Sequence, residues 1–432
     1  MTKMDYQNVK GTQDYLPEAE VVRREIRRTL EDVFIQYGCK PLETPILNYT
    51  ELLASKYGGG AEILEEMYTL TDRGERDLAL RYDLTIPFAK VVAINPTLKM
   101  PFKRYEIGKV FRDGPIKTGR FREFTQCDVD IVGVASQIAE AELMMMALAT
   151  FAKLDLDVTI QYNNRKLLTG MLEVFNTEKG KSNKVILILD KLEKNGLEVV
   201  VSELTEQGLS PATVSSIKQF ITDKNKTNYQ YFESFANENE LVKQGLDELK
   251  ELESYIEILG VKNQCIFNPF LARGLEIYTG TIYEIFLTNQ TIKSSIGSGG
   301  RYDNAIGGLI GTNENFSTVG ISFGLDVIYT ALSQLKKRRL DSANLDFYVI
   351  PLNTQKESLL VAKSLRDQGY KVELEMSNKR IGKALDKANK ERIRNVIIIG
   401  EEEVRNNQYK IKDMLSGEER VAVFLYNSRY ID

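Results

Sequence analysis

FKRYEIGKVFRDGPIKTGRFREFTQCDVDIVG, from Phe102 to Gly133, is the stretch that decides the fold. Its two ends mix apolar and polar residues over strand-like lengths, and its middle holds glycine and proline. FKRYEIGKVF and FTQCDVDIVG therefore read as antiparallel strands joined across the loop Gly114 to Gly119. Arg112, Arg120 and Arg122 flank that loop within eleven residues. Strands joined this way aim guanidinium forks, which suit phosphate, at whatever sits above the sheet. A solvated hairpin with surface arginines would explain the same residues. Gln126, Asp128 and Asp130 alternate with Cys127 and Val129, so they share one strand face. An inward acidic face is costly unless it meets a cation or donors, such as a substrate amine. A solvent-facing sheet surface is the alternative.

Upstream, Val22, Ile26, Leu30, Val33 and Phe34 recur at steps of three and four between Glu18 and Gln36, which predicts an amphipathic helix. Pro17 suits its start and Gly38 its stop. From Lys40 to Val134 the chain reads as short strands of an antiparallel sheet, LALRYDLTIPFA among them. Asp83 and Thr85 in that segment are further polar candidates. Downstream, a helix is expected over Gln137–Ala152, then an inserted module of polar, lysine- and glutamate-rich helices from about Arg165 to Gly260. Strand-like sequence resumes at Cys265, and IYTGTIYEIF (Ile277–Phe286) alternates, with Arg273 before it and Tyr278 on it. SSIGSGGRYDN (Ser294–Asn304) is rich enough in glycine for a close backbone approach. It has neither the GK[ST] ending of a P-loop nor the GxGxxG spacing.

A helix follows over Gly324–Leu335. KKRRLDSANLD (Lys336–Asp346) looks like a linker. FYVIPL, a helix over Gln355–Gln368, a strand over Lys371–Glu375, a helix over Ile381–Asn389 and NVIIIG then alternate. That grammar predicts a small α/β domain with a mostly parallel sheet.

The 432 residues imply two or three domains, and 43% hydrophobic with 27% charged residues is ordinary globular composition. There is no histidine, which excludes Ser–His–Asp and Cys–His catalysis and histidine-ligated metals together. Any chemistry must run on carboxylates, arginines, lysines, tyrosines and backbone groups. Cys39, Cys127 and Cys265 are far apart and read as buried thiols. A net charge of −4 gives no general attraction for nucleic acid, which leaves local basic patches. The longest apolar run, LMMMALATFA from Leu143, is about half a membrane span. MTKMDYQNVKG has no apolar signal-peptide core, so a cytoplasmic protein is expected.

Taken in order, the blocks resemble class II aminoacyl-tRNA synthetases, and within them the histidyl-tRNA synthetase family. KGTQDYLP (Lys10–Pro17) is similar to that family's opening motif, and YGCKPLETPIL (Tyr37–Leu47) to motif 1. VFRDGPIKTGRFREFTQCDVDIVG resembles motif 2 in its eukaryotic and archaeal-like form. ARGLEIYTGTIYE (Ala272–Glu284) and GSGGRYD (Gly297–Asp303) resemble the two histidine signatures, and TVGISFGLD (Thr318–Asp326) motif 3. Residues 346–432 look like the anticodon-binding domain.

The resemblance implies an α+β fold: a six-stranded antiparallel class II sheet with helices, a helical insertion, and a C-terminal α/β domain. It divides the chain into catalytic segments 1–164 and 261–335, an insertion 165–260, a linker 336–345 and an anticodon-binding domain 346–432. It implies ATP-dependent ligation of histidine to tRNA through histidyl-adenylate, with Mg²⁺, in a homodimer. By position, Arg112 and Arg273 would be catalytic and hold the ATP α-phosphate, with Arg120 also meeting ATP. Asp83, Thr85 and Gln126 would bind the histidine α-amino group, and Asp130 and Tyr278 the imidazole. Three departures stand out. Asp326-Val327 replaces the Glu-Arg of motif 3, Ile277 replaces a tyrosine, and Thr125 stands where the family has histidine or tyrosine. They keep open a non-catalytic regulator, for example of histidine biosynthesis, as the alternative, and Ile277 also keeps open a synthetase for another amino acid or acceptor.

Overall fold

The computed structural model describes residues 6–55, 61–117, 119–178, 180–223, 228–272, 277–312, 314–335, 345–377 and 380–424. The chain divides into two compact units, Met1–Tyr15 with Val22–Arg338 and Leu16–Val21 with Arg339–Asp432. The expected linker, apart from its last residue, lies outside the described residues, as does Arg273.

The first strands are β1 (Lys40–Pro41), β2 (Leu47–Tyr49), β3 (Thr69–Thr71) and β4 (Asp77–Leu80). Next come β5 (Phe102–Phe111), β6 (Glu123–Val132), β7 (Val158–Asn164), β8 (Cys265–Phe267), β9 (Thr281–Leu287), β10 (Gly297–Arg301) and β11 (Thr318–Gly324). They form a large sheet in the order β1-β5-β6-β11-β10-β9-β7-β8 and a small one, β2-β4-β3. The six middle strands of the large sheet are antiparallel, as expected. Among the described residues the sheet has eight strands rather than six, because β1 and β8 add short parallel edges.

One face of this sheet is the core. Helices Pro17–Gln36 and Ile138–Lys153 cover it, burying Ile26, Leu30, Phe34, Met144, Ala147 and Phe151 against Val129, Ile131, Ile321 and Phe323. Phe323 is central, with ring centroids 5.7 Å from Phe34 and 5.8 Å from Phe151. Each large apolar side chain so buried contributes roughly 1.5–3 kcal/mol. The period of two then forces Gln126, Asp128 and Asp130 onto the opposite face.

The segment read as the strand LALRYDLTIPFA is split: β4 ends at Leu80 and a helix runs from Thr85 to Ile94. Pro87 sits in the first turn of that helix, where a missing N–H costs nothing. The alternating segment from Ile277 is a strand only from Thr281. From Arg165 to Ile258 every regular element among the described residues is a helix. The first and last of these, Arg165–Val174 and Glu240–Ile258, meet backbone to backbone at glycines. A Cβ on Gly245 would lie 2.4 Å from the Leu167 nitrogen.

The second unit holds β12 (Phe347–Pro351), β13 (Val372–Leu374), β14 (Asn395–Ile399), β15 (Gln408–Asp413) and β16 (Glu419–Val423), in the order β13-β12-β14-β15-β16. The first three are parallel, and β15 and β16 add an antiparallel hairpin. Helix Gln355–Asp367 packs Val361, Ala362 and Leu365 beside Val349 and Ile397, and Ala384 and Ala388 pack beside Tyr348 and Val396.

Candidate active site

The polar face of the large sheet carries cross-strand rows. Arg104 opposes Asp130, Glu106 opposes Asp128, and Gly108 opposes Gln126. On the other side of β6, Asp130 faces Gly320, Asp128 faces Ser322, and Gln126 faces Gly324. The rows continue onto β10 as Gly300 and Ser298.

The Asp130 row is cut down to backbone. A Cβ on Gly320 would lie 2.0 Å from Asp130 Oδ1, and one on Gly300 would lie 2.9 Å from the ring of Tyr278. The approach that the glycine-rich segment permits is thus to the protein's own strands and side chains. Tyr302, one residue past β10, donates its hydroxyl to Asp130 Oδ1. Arg104 pairs with the other oxygen, with Nη2 to Oδ2 at 2.6 Å. Arg104 is fully buried, lies 4.4 Å over the Phe88 ring, donates to the Leu84 carbonyl at 3.1 Å, and is 3.7 Å from Glu106.

A small cavity of about 60 Å³ opens between these rows. Asp83, Thr85, Asp128, Asp130 and Tyr278 line it, with Ile277, Tyr302, Ser298 and Ser322. Asp83 reaches it from the turn before helix Thr85–Ile94, where its Oδ1 accepts the N–H groups of Thr85 and Ile86, both at 3.1 Å. That bonding satisfies orphan donors of the helix start. Burial pushes the Asp83 and Asp130 carboxyls up, opposed by nearby arginines. Burial raises Asp128 to about 8, with Arg104 and a hydrogen bond with Ser322 opposing the rise and Asp130 and Asp83 adding to it. Three carboxylates in one small cavity favour a cationic ligand that would compensate them.

Gln126 sits one row further along. Its Nε2 donates to Ser322 Oγ at 2.9 Å, and its buried Oε1 has no hydrogen-bond partner among the described residues. Arg112 lies at the same end of the sheet, on the residue after β5. Its guanidinium is 4.1 Å over the Tyr82 ring and 5.2 Å from Phe124, and its Nε donates to the Tyr82 carbonyl at 3.2 Å. Among the described residues it makes no ion pair, so its outer N–H groups are open to an anion.

Arg120 is exposed and lines no part of this cavity; it closes a tight turn with Lys117, whose carbonyl accepts the Arg120 N–H at 2.8 Å. Arg122 pairs with Asp113 at 2.9 Å. The sequence-predicted residues therefore divide into a cavity set (Asp83, Thr85, Asp130, Tyr278), neighbours on the sheet (Gln126, Arg112) and a loop residue (Arg120). Sequence reasoning missed Arg104 and Tyr302. The signal for Arg104 was strand pairing, since an arginine at that register sits across from Asp130.

Asp326 is buried. Its Oδ2 accepts the Thr125 N–H at 2.7 Å, and its Oδ1 accepts from Tyr15 and Arg23. Val327 packs beside the loop turn, its methyls 3.6 Å from where a Cβ on Gly119 would stand. Ile277 lines the cavity and packs with Leu53, Met67, Ala79 and Ile86.

A family model described as histidyl-tRNA synthetase matches residues 11–328, and one described as anticodon binding domain matches 346–425. The chain is 60% identical to histidine–tRNA ligase 2 of Shouchella clausii over 426 residues, covering 99% of this chain and all of that protein. It is 56% identical to histidine–tRNA ligase 1 of Bacillus cereus over 429 residues, with the same coverage. Among solved structures, the histidyl-tRNA synthetase of Nostoc sp. PCC 7120 superposes with TM-score 0.83 at 30% identity, covering 98% of this chain and 97% of that one. A Bacillus halodurans protein described as an ATP phosphoribosyltransferase regulatory subunit/histidyl-tRNA synthetase shares the fold, with TM-score 0.75 at 19% identity over 92% of this chain and 99% of that one.

Proposed function

Since the chain belongs to the histidyl-tRNA synthetase family, we infer that it is a histidine–tRNA ligase, joining histidine to its tRNA at the expense of ATP. The observation that carries this reading to the residues is the cavity in which Asp83, Asp128 and Asp130 meet Tyr278 and Tyr302. Histidine offers that cavity an ammonium group and a flat ring.

In the proposed reaction a carboxylate oxygen of histidine attacks the α-phosphorus of ATP. The bond to the bridging oxygen breaks, pyrophosphate leaves with that electron pair, and histidyl-adenylate remains. A ribose hydroxyl at the end of the tRNA then attacks the activated carbonyl and AMP leaves. The first step needs alignment and charge stabilisation rather than a histidine base. Asp83, Thr85 and Gln126 hold the ammonium, and Asp130 and Tyr278 hold the imidazole. Arg112, braced between Tyr82 and Phe124, meets the α-phosphate as charge develops. Arg273, by position in its motif, acts on the same phosphate, and Arg120 on the loop meets ATP.

Among the described residues no group of three or more acidic or cysteine side chains is placed to hold a metal ion. Mg²⁺ is accordingly assigned to the triphosphate it arrives with, and no step here depends on it. The domains follow the boundaries given above, with 346–432 reading the anticodon. Exposed Ile46, Leu47 and Tyr49, on and beside β2, support a homodimer through the motif 1 region. No helix among the described residues is long and apolar enough to cross a membrane, and we place the enzyme in the cytoplasm.

The test is ATP–pyrophosphate exchange by the purified full chain, with histidine and with other amino acids. Exchange that depends on histidine alone is expected. Histidine binding with no exchange would make the chain a regulator instead.

A further inference from the structure

We propose that Asp128 is a further substrate-binding residue, holding the α-ammonium of histidine together with Gln126. This deepens the reading above and rests on histidine being the substrate. Asp128 is 4% exposed, lines the cavity, and has an Oδ1 with no hydrogen-bond partner among the described residues. Gln126, two positions earlier on the same strand face, has its Oε1 buried and unpartnered in the same way. Ser322 hydrogen-bonds the Asp128 carboxylate, which leaves Asp128 Oδ1 and Gln126 Oε1 as two open acceptors for an ammonium, whose three N–H groups can only donate.

The neighbouring acids are differently placed. Asp130 is held by Arg104 and Tyr302, and the Asp83 Oδ1 is held by backbone N–H groups. Among the described residues no cation lies within ion-pair distance of Asp128. The rows divide the work in the same sense. The Asp128 row continues as Ser322 and Ser298, which are polar, whereas the Asp130 row continues as Gly320 and Gly300 beneath the Tyr278 ring. The glycine row leaves a flat slot for a ring, and in the serine row the Ser322 hydroxyl, bonded to Gln126 and Asp128, fixes the two side chains that face the cation.

The experiment titrates wild type, Asp128→Asn and Asp128→Ser with histidine, histidinol and imidazolepropionate, following heat. Histidinol keeps the ammonium and lacks the carboxylate; imidazolepropionate keeps the ring and lacks the ammonium. Both variants should bind histidine and histidinol about tenfold to a hundredfold more weakly, the range for losing a hydrogen bond to a charged group. Imidazolepropionate should bind them as it binds wild type. Equal losses for all three ligands, or no loss for any, would overturn the assignment. Failure of wild type to bind histidine would instead remove the function it rests on.

A separate observation carries a second inference. The 432 residues include 21 tyrosines and 18 phenylalanines but no histidine. We infer that the chain serves a cell short of histidyl-tRNA, because its synthesis does not consume the product it makes. The test compares wild type with a version carrying Glu198→His, Gln207→His, Lys218→His and Glu238→His, all exposed positions, each as sole histidine–tRNA ligase in a histidine auxotroph. Both versions are first shown to charge tRNA equally in vitro; inactivity of both would count against the ligase reading, not this one. After histidine withdrawal, pulse labelling should show continued synthesis of wild type only, with faster regrowth when histidine returns. Equal regrowth would sink the inference.

Discussion

The carboxylate of Asp326 accepts the backbone N–H of Thr125 at 2.7 Å, tying the helix Leu325–Gln334 to the start of the strand that presents Gln126, Asp128 and Asp130. Its other oxygen takes Tyr15 and the buried Arg23. Asp326→Ala leaves Arg23 buried without that partner, and breaking such a pair costs about 3–5 kcal/mol. A large drop in melting temperature is expected by calorimetry, and Asp326→Glu should recover part of it.

Gly320→Ala should separate the amino-acid site from the nucleotide site. The new methyl would stand 2.0 Å from Asp130 Oδ1, so Asp130 must move away from Tyr302 and Arg104. Displacement on that scale costs about 100-fold in rate. Histidine-dependent exchange should fall by that order while ATP binding, followed by fluorescence competition, stays near wild type.

Arg112→Ala and Arg112→Lys should both lose roughly 10²–10³ in the rate of adenylate formation, measured by single turnover. Lysine is no substitute, because it offers a point charge where a planar fork stacks between Tyr82 and Phe124. Melting temperature should change little.

Histidine should bind more tightly as pH rises towards and past 8. Burial holds the Asp128 carboxyl up at about 8, so below that pH it is protonated and a weaker partner for an ammonium. The groups facing it are Arg104 and Glu106 from β5, Asp130 on its own strand, Asp83 from the turn before the next helix, and Tyr278 and Tyr302 at the cavity wall. An unfolded aspartate titrates near 3.9, so between about 4 and 8 the folded state holds the extra proton. Stability of the free protein should therefore decline with rising pH across that window. The rise in melting temperature caused by histidine should grow over the same range, and Asp128→Asn should flatten both trends.

Much of this site was legible from strand alternation. Once Cys127 and Val129 were placed in the core, Gln126, Asp128 and Asp130 had to share the far face. Arg104 was not legible in the same way, because a fully buried arginine declares itself only through its partner across the ladder. The helix from Thr85 was hidden by Pro87, which reads as an interruption in a strand and is harmless in a first helical turn. In the C-terminal unit the hairpin β15–β16 went unread, although Ser416-Gly417 marks a turn between two alternating runs. Asp326 stood out only as a departure from a motif, and its bonding shows a carboxylate fastening three segments.

The glycines on β10 and β11 bear on how this site can change. Gly299 and Gly320 lie where any side chain would strike the adjacent backbone or Asp130, and Gly300 where it would strike Tyr278 and the Thr281 carbonyl. Variation at these positions is closed to selection, so a descendant with a different amino-acid preference cannot reshape the pocket from its floor. The route left open runs through the rim at Ile277, whose side chain lines the cavity and holds no part of the ammonium.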